Sequence, residues 1–241
     1  MRYGIFADVH SNLEALEAVV NGYKDERIDR YLCVGDIVGY AANPLECIQI
    51  IKRLSPVMVA GNHDWGAVGR LPFEYFSRVA REAIIWTSSV LGSAEKDFLF
   101  GLPLLYTEGN FILVHGTLFR PQDFYYLNTA VAASRSFTVL DKQLCFVGHT
   151  HKPGVFVEQD KDLSFRKFSS LKIENNKRYI INVGSVGQPR DGNPQAAFAI
   201  YDTDEKIVEL KRVTYNFSAT QEKILKLDLP GSLARRLSEG V

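Results

Sequence analysis

The chain is 241 residues long, 46% hydrophobic and 23% charged, and its 28 Lys and Arg balance 28 Asp and Glu. That length is enough to bury a sizeable core, and a net charge of zero excludes a global field drawing the protein to nucleic acid or an anionic membrane. No apolar run approaches the roughly 20 residues needed to cross a bilayer.

Residues 3–7 read as a buried strand, and cleavage of a signal peptide there would remove residues singled out below, so a cytoplasmic protein is expected. Leu13, Leu16, Val20 and Tyr23 then recur at helical spacing, with Ser11 and Glu14 in a capping-box pattern. Residues 31–34 predict a second strand, 44–54 a second helix and 57–60 a third strand. This β-α-β-α-β run implies parallel pairing through right-handed crossovers. A helix is expected over 74–91, with Phe76, Val79, Ala83 and Trp86 on one face. Strands at 111–114 and 144–147 flank a helix over 123–134. Short strands follow at 155–158, 163–168, 179–183, 197–201 and 208–213, and helical segments at 219–225 and 233–238 close the chain. No repeat, low-complexity tract or linker interrupts it. The expectation is one domain over 1–241, an α/β fold of two sheets packed face to face with helices outside.

Cys33, Cys47 and Cys145 are an odd number without a CxxC, two of them inside apolar runs. They read as small buried hydrophobes in a reducing compartment.

The chemistry gathers in five segments: Asp8-Val9-His10, Gly35-Asp36, Gly61-Asn62-His63-Asp64, His115-Gly116 and Gly148-His149-Thr150-His151. They hold all five histidines of the chain, and each follows a strand-forming run. Loops leaving the carboxyl ends of strands in an α/β sheet gather at one edge, so segments over a hundred residues apart can converge. Asp, His and Asn offer oxygen and nitrogen ligands suited to Mn, Fe, Zn or Ni rather than Ca. Asp8 and His10, two apart, would leave one face of an extended chain and share an ion. Taken singly, each histidine reads as a hydrogen-bonded structural residue and Asp36 or Asn62 as a turn former. Five of five histidines at strand ends beside Gly, Asp or Asn favour metal binding.

The order DxH, GD, GNHD, H, GHTH over residues 8–151 resembles the calcineurin-like metallophosphoesterase superfamily. The His-Gly-x-x-x-x-Pro stretch at 115–121 and the Asn-Val-Gly-Ser-Val-Gly-Gln-Pro-Arg run at 182–190 are similar to its small bacterial and archaeal branch, related to diadenosine tetraphosphatase. The resemblance implies a four-layer α/β/β/α sandwich of two mixed sheets flanked by helices. It implies two divalent ions, with manganese preferred. Asp8, His10, Asp36 and His151 would hold the first ion, and Asp36 would bridge to a second completed by Asn62, His115 and His149. His63 would act on the scissile phosphate, the alternative being an ion pair with Asp64. The implied reaction is in-line attack by a metal-bridging hydroxide, with Ser11 and Ser185 in structural or phosphate-contacting roles.

Protein phosphatases of that superfamily usually read GDxVDRG, where this chain has Gly39 and Tyr40 in place of the second Asp and the Arg. A phosphodiester or nucleotide substrate is therefore expected over a phosphoprotein. Arg190 and Arg120 are candidate replacements for the missing phosphate grip. The aromatic stretch 119–126 either stacks on a base or packs a helix onto the sandwich. Other readings are a dinucleoside-polyphosphate hydrolase, a phosphomonoesterase, or a non-catalytic interaction scaffold on the same fold. A small-molecule partner is expected, with no membrane and no extended nucleic-acid surface.

Overall fold

Strand β1 (Arg2–Phe6) alternates its side chains between two cores: Tyr3, Ile5 and, just beyond, Ala7 face one way, while Phe6 faces the other. This is the two-residue period of a strand buried on both faces. The structure, a computed structural model, describes all 241 residues. Around β1 runs a six-stranded sheet in which β2 (Arg30–Cys33) and β3 (Val57–Met58) pair in parallel, while β11 (Ala196–Asp202), β12 (Ile207–Val213) and β9 (Ser170–Lys172) add antiparallel strands, in the order β3-β2-β1-β11-β12-β9. A second six-stranded sheet has the order β4-β5-β6-β10-β7-β8, from β4 (Leu105–Glu108), β5 (Phe111–Val114), β6 (Leu144–Val147), β7 (Gly154–Gln159), β8 (Asp162–Arg166) and β10 (Arg178–Asn182). Here β5, β6 and β10 are parallel neighbours and the outer strands antiparallel. The two-mixed-sheet expectation is met.

Ile5, Leu32 and Val34 from the first sheet meet Leu113, Phe146 and Ile181 from the second in the central core. Each such side chain contributes on the order of 1.5–3 kcal/mol by leaving water. On the outer face of the first sheet, Phe6, Cys33 and Phe198 pack against Leu16 and Val19 of α1 (Leu13–Gly22) and Ile48 and Ile51 of α2 (Pro44–Leu54). The outer face of the second sheet is covered by α6 (Ala130–Val139) through Ala133 and Phe137. A further cluster joins α4 (Arg78–Val90) to α7 (Phe217–Lys226) and α8 (Gly231–Glu239), with Tyr40 and Phe76 at its inner margin. The cysteines are free and buried, and burial pushes their thiols up, as expected of small hydrophobes.

Several local expectations change. The cap of α1 is Asn12, whose side chain accepts from Ala15 N at 3.2 Å; Ser11 is buried in left-handed backbone, and Glu14 instead binds Lys223 and Thr220 on α7. The expected 74–91 helix breaks at Phe76, which is extended, and restarts behind the Ser77 cap. The helix expected over 123–134 begins only at Ala130, because Phe124 turns left-handed and the following residues run along the edge where the ligands gather. Strands β4 and β9 and helix α5 (Ser93–Phe100) were not anticipated: β4 is mostly half-exposed and lacks an apolar period, and α5 is eight residues long.

Candidate metal centre

The parallel strands of both sheets deliver their following residues to one shared edge. Asp8 and His10 follow β1, Asp36 follows β2, Asn62 opens the short helix α3 (Asn62–Ala67) after β3, His115 follows β5, and His149 and His151 follow β6. All seven are buried.

Asp8 and His10 do not share the site by extended alternation. Asp8, His10, Asp36, His149 and His151 all take left-handed backbone, with φ between 50° and 66°. That conformation costs roughly 1–2 kcal/mol per non-glycine residue, and such outliers concentrate at functional sites. Loop-to-loop hydrogen bonds hold them: Asp8 N to Gly35 O, His10 N to Asp36 O, and Gly148 N to His115 O, each at 3.0 Å. Gly61 is required by close approach, since a Cβ there would lie 1.9 Å from Asp36 Oδ1. Asp36 Oδ1 itself accepts from His63 N at 2.8 Å, which leaves Oδ2 free.

The ring nitrogens define what the centre needs. His10, His115 and His151 each face a backbone carbonyl through Nδ1: Val38 O at 3.2 Å, Val34 O at 2.7 Å and Gln188 O at 2.6 Å. A carbonyl only accepts, so each Nδ1 carries the proton and each Nε2 presents a lone pair. Yet His10 Nε2 and His151 Nε2 are 3.0 Å apart, and His115 Nε2 is 3.2 Å from Asp36 Oδ2. Facing lone pairs repel unless a cation or proton lies between them. Asp36 Oδ2, Asn62 Oδ1 and His115 Nε2 are moreover buried without a hydrogen-bond partner. Possible ligand atoms of Asp8, His10 and His151, of His10, Asp36 and His63, and of Asp36, His115 and His149 lie within 4.8 Å of one another in each group. This donor set fits divalent ions.

Burial holds His10 and His151 well below the usual imidazole range and His149 down to about 3, so all three stay neutral, the form that ligates. Burial also opposes a charge on His115, but Asp36 and Asp8 outweigh it and hold that ring up to about 9. Burial likewise raises Asp36, which His115, His63 and His10 then bring well below the carboxylate range. His115 is raised above its ordinary 6.5, so its stabilising proton is fully present below that value and is lost as pH rises through about 9. A metal must displace that proton, so apparent affinity should rise by up to about tenfold per pH unit across this window. Manganese should accordingly raise the melting temperature more at pH 8.5 than at pH 6.5; equal shifts in a calorimeter would contradict the assignment of His115.

His63 sits between Tyr40, at 4.4 Å between ring centroids, and Phe76, at 5.4 Å. Burial lowers it to about 4, and its Nδ1 is buried without a partner. A Cβ on Gly39, where φ is +96°, would lie 2.3 Å from that nitrogen, so an orienting carboxylate at this position has no room. The alternative ion pair with Asp64 is absent. Asp64 instead accepts from the N–H groups of Asp36, Ile37, Val38 and Gly61 at 2.9–3.2 Å, a structural role that its place in the GNHD motif did not reveal. Ser185 is structural too, donating to Asp8 O and accepting from Gln188 N.

Arg190 is brought to the site. Its backbone N donates to His151 O, its side chain donates to Gln188 Oε1 at 2.7 and 3.2 Å, and its guanidinium lies 5.6 Å from the Tyr40 ring centroid. Arg120 is not: it is exposed, pairs with Asp123 at 2.7 Å, and lines a neighbouring hollow. The aromatic stretch divides, with Phe124 buried against Trp65, Tyr125 and Tyr126 half-exposed, and Tyr126 stacked on His149 at 4.1 Å.

A profile described as the calcineurin-like phosphoesterase superfamily domain matches residues 1–206. An uncharacterized protein of Methanocaldococcus jannaschii is 39% identical over 240 residues, covering 98% of this chain and 97% of its own. The crystal structure of a metallophosphoesterase from Sphaerobacter thermophilus superposes with a TM-score of 0.87 at 38% identity, covering 100% of both chains. A hypothetical protein from Pyrococcus horikoshii OT3 shares the fold, with a TM-score of 0.79 at 19% identity over 100% of this chain and 98% of its own. With its ligand types, strand-end placement and profile match in agreement, the chain belongs to the calcineurin-like phosphoesterase superfamily.

Proposed function

We propose that the protein hydrolyses phosphate esters, with phosphodiesters or nucleotides preferred, using two divalent ions that share Asp36. Asp8, His10, Asp36 and His151 would hold one ion, and Asp36, Asn62, His115 and His149 the other. The observation that carries this reading is the opposition of the His10 and His151 Nε2 lone pairs at 3.0 Å in a buried site, which a cation relieves. Ions bound there supply Lewis-acid contacts to phosphate oxygens and acidify water towards neutrality.

The protein's own groups do the rest. His63 is neutral at working pH; its Nδ1 is buried against Gly39, so Nε2 is the nitrogen left to donate a hydrogen bond to a departing oxygen. Tyr40 and Phe76 hold that ring without a carboxylate. Arg190 is tethered by Gln188 at the margin, the single cation there to meet phosphate. A diester monoanion needs less cationic help than a monoester dianion, which favours the diester. Residues 1–241 would act as one unit, because α7 and α8 pack in the same cluster as Tyr40.

The test is release of p-nitrophenol by the manganese-loaded protein from the bis-aryl diester and the aryl monoester, with release of nucleotide from a dinucleoside polyphosphate followed in the same buffer. The diester should turn over fastest, and His63→Ala should lower kcat by about 10²–10⁴-fold with bound metal retained. Fewer than one ion per chain together with no turnover under any divalent ion would instead make the fold a binding scaffold.

A further inference from the structure

A hollow of about 440 Å³ opens directly off the centre, sharing Asn62, His63 and His149 with it. Its volume falls in the range of small-molecule sites. A group bonded to a phosphate at those shared residues would extend into it. From this geometry we infer that the hollow seats a nucleobase, so that the preferred substrates are nucleoside phosphodiesters; this rests on the phosphoesterase reading above.

The walls select for a flat aromatic group. Tyr75, Tyr125 and Tyr126 line it with 76%, 50% and 50% of their surfaces exposed, an unusual concentration of open rings beside a buried polar centre. Tyr126 lies on His149 at 4.1 Å and 13°, so one ring face is taken and the ring is held flat. Such platforms stack bases of any identity. The hydroxyls of these rings and the exposed amide of Gln122 are hydrogen-bonding groups that an alkyl chain would leave unpaired.

Charge argues against a longer phosphate chain. The hollow's own cation, Arg120, pairs with Asp123 at 2.7 Å, and both line it. The two charges cancel, so a second phosphate has no cationic seat there, whereas a neutral heterocycle meets no penalty. The break between Phe76 and α4 contributes directly, because an unbroken helix over 74–91 would carry Tyr75 away on a regular helical face instead of placing it at the end of a separate short turn.

The experiment compares thymidine and adenosine p-nitrophenyl phosphates with methyl p-nitrophenyl phosphate, which share a leaving group and differ only in the group offered to the hollow. The manganese-loaded protein should favour the nucleoside esters by about tenfold or more in kcat/KM. In a Tyr75→Ala/Tyr125→Ala variant that preference should collapse towards unity, with the loss carried by KM. A nucleoside-to-methyl ratio within about twofold of unity in the unaltered protein, or a ratio unchanged in the variant, would overturn the base site while leaving the hydrolase intact. Failure of the unaltered protein to cleave any of the three esters would instead overturn the phosphoesterase reading beneath it.

Discussion

Replacing Asp36 by alanine is expected to disable both halves of the metal centre at once. Oδ2 of this carboxylate lies 3.2 Å from His115 Nε2 and 3.6 Å from His10 Nε2, and these two rings belong to different ligand groups. Removing it takes away the negative charge that holds His115 up to about 9, and the oxygen that both ions would share. Outer partners of metal ligands already cost about 10–100-fold in affinity when lost, so loss of a bridging ligand should cost at least a hundredfold. Bound manganese should fall below one ion per chain and diester hydrolysis to background. Asp36 Oδ1 also accepts from His63 N, so part of the alanine effect is structural. Asp36→Asn retains volume and an acceptor while removing the charge, and it should fold yet remain inactive. If Asp36→Asn retained two ions and most of its turnover, Asp36 would not be the bridge.

The centre was more legible in the sequence than the frame around it. Metal sites use few residue types, and a parallel sheet forces strand ends to one edge, so the strand-end histidines and aspartates converge whatever the loops do. The same logic failed for Asp8 and His10 in detail. They meet because each turns left-handed against the 35–37 loop, a conformation that residue type does not announce. Strands buried on both faces, such as β1 and β11, were readable as continuous apolar runs; β9, three residues long with one buried position, carries too little pattern. The aromatic segment after His115 had the composition of a packed helix start. It instead makes a single short turn at Pro121–Asp123 between left-handed Arg120 and Phe124, Tyr125 O accepts from Thr117 N, and α6 starts only behind the Thr129 cap. Arg190 and Arg120 looked equivalent as residue types, and only tertiary contacts separate them.

The departure at Gly39 and Tyr40 also gains a physical meaning. In the sequence it is a loss of two charged residues. In the fold, Gly39 is the reason that His63 fits at all, and Tyr40 is the wall that replaces a carboxylate in holding it. For this imidazole, burial outweighs the pull of the Asp36 carboxylate on its protonated form. It stays neutral, with burial lowering it to about 4. A neutral ring offers a hydrogen bond to a departing oxygen and no positive charge to pair with a highly charged monoester.

The second large effect should come from Asp64, which touches neither candidate ion. Its carboxylate is fully buried and accepts four backbone N–H groups, those of Asp36, Ile37, Val38 and Gly61. It therefore fastens the loop carrying Asp36 to the turn carrying Asn62. Asp64→Ala leaves all four donors buried without partners, at roughly 1–3 kcal/mol each when unrelieved. Relaxation and water entry reduce that sum, and a loss of about 4 kcal/mol is expected, among the larger single-residue effects. For a chain of this size it lowers the melting temperature by on the order of 10 °C. Burial and the charge of Asp36 push the Asp64 carboxyl up, while the N–H groups bring it down. Cations opposite Asp36 would offset that repulsion, so manganese should stabilise the unaltered protein more than the Asp64→Ala variant, beyond any common shift. Asp64→Asn retains an acceptor oxygen but turns an NH₂ towards two of the donors, so it should recover only part of the loss. Calorimetry of the three proteins with and without manganese measures both terms. A variant that melts with the unaltered protein and binds manganese equally well would show that the loop and the turn are held by other contacts.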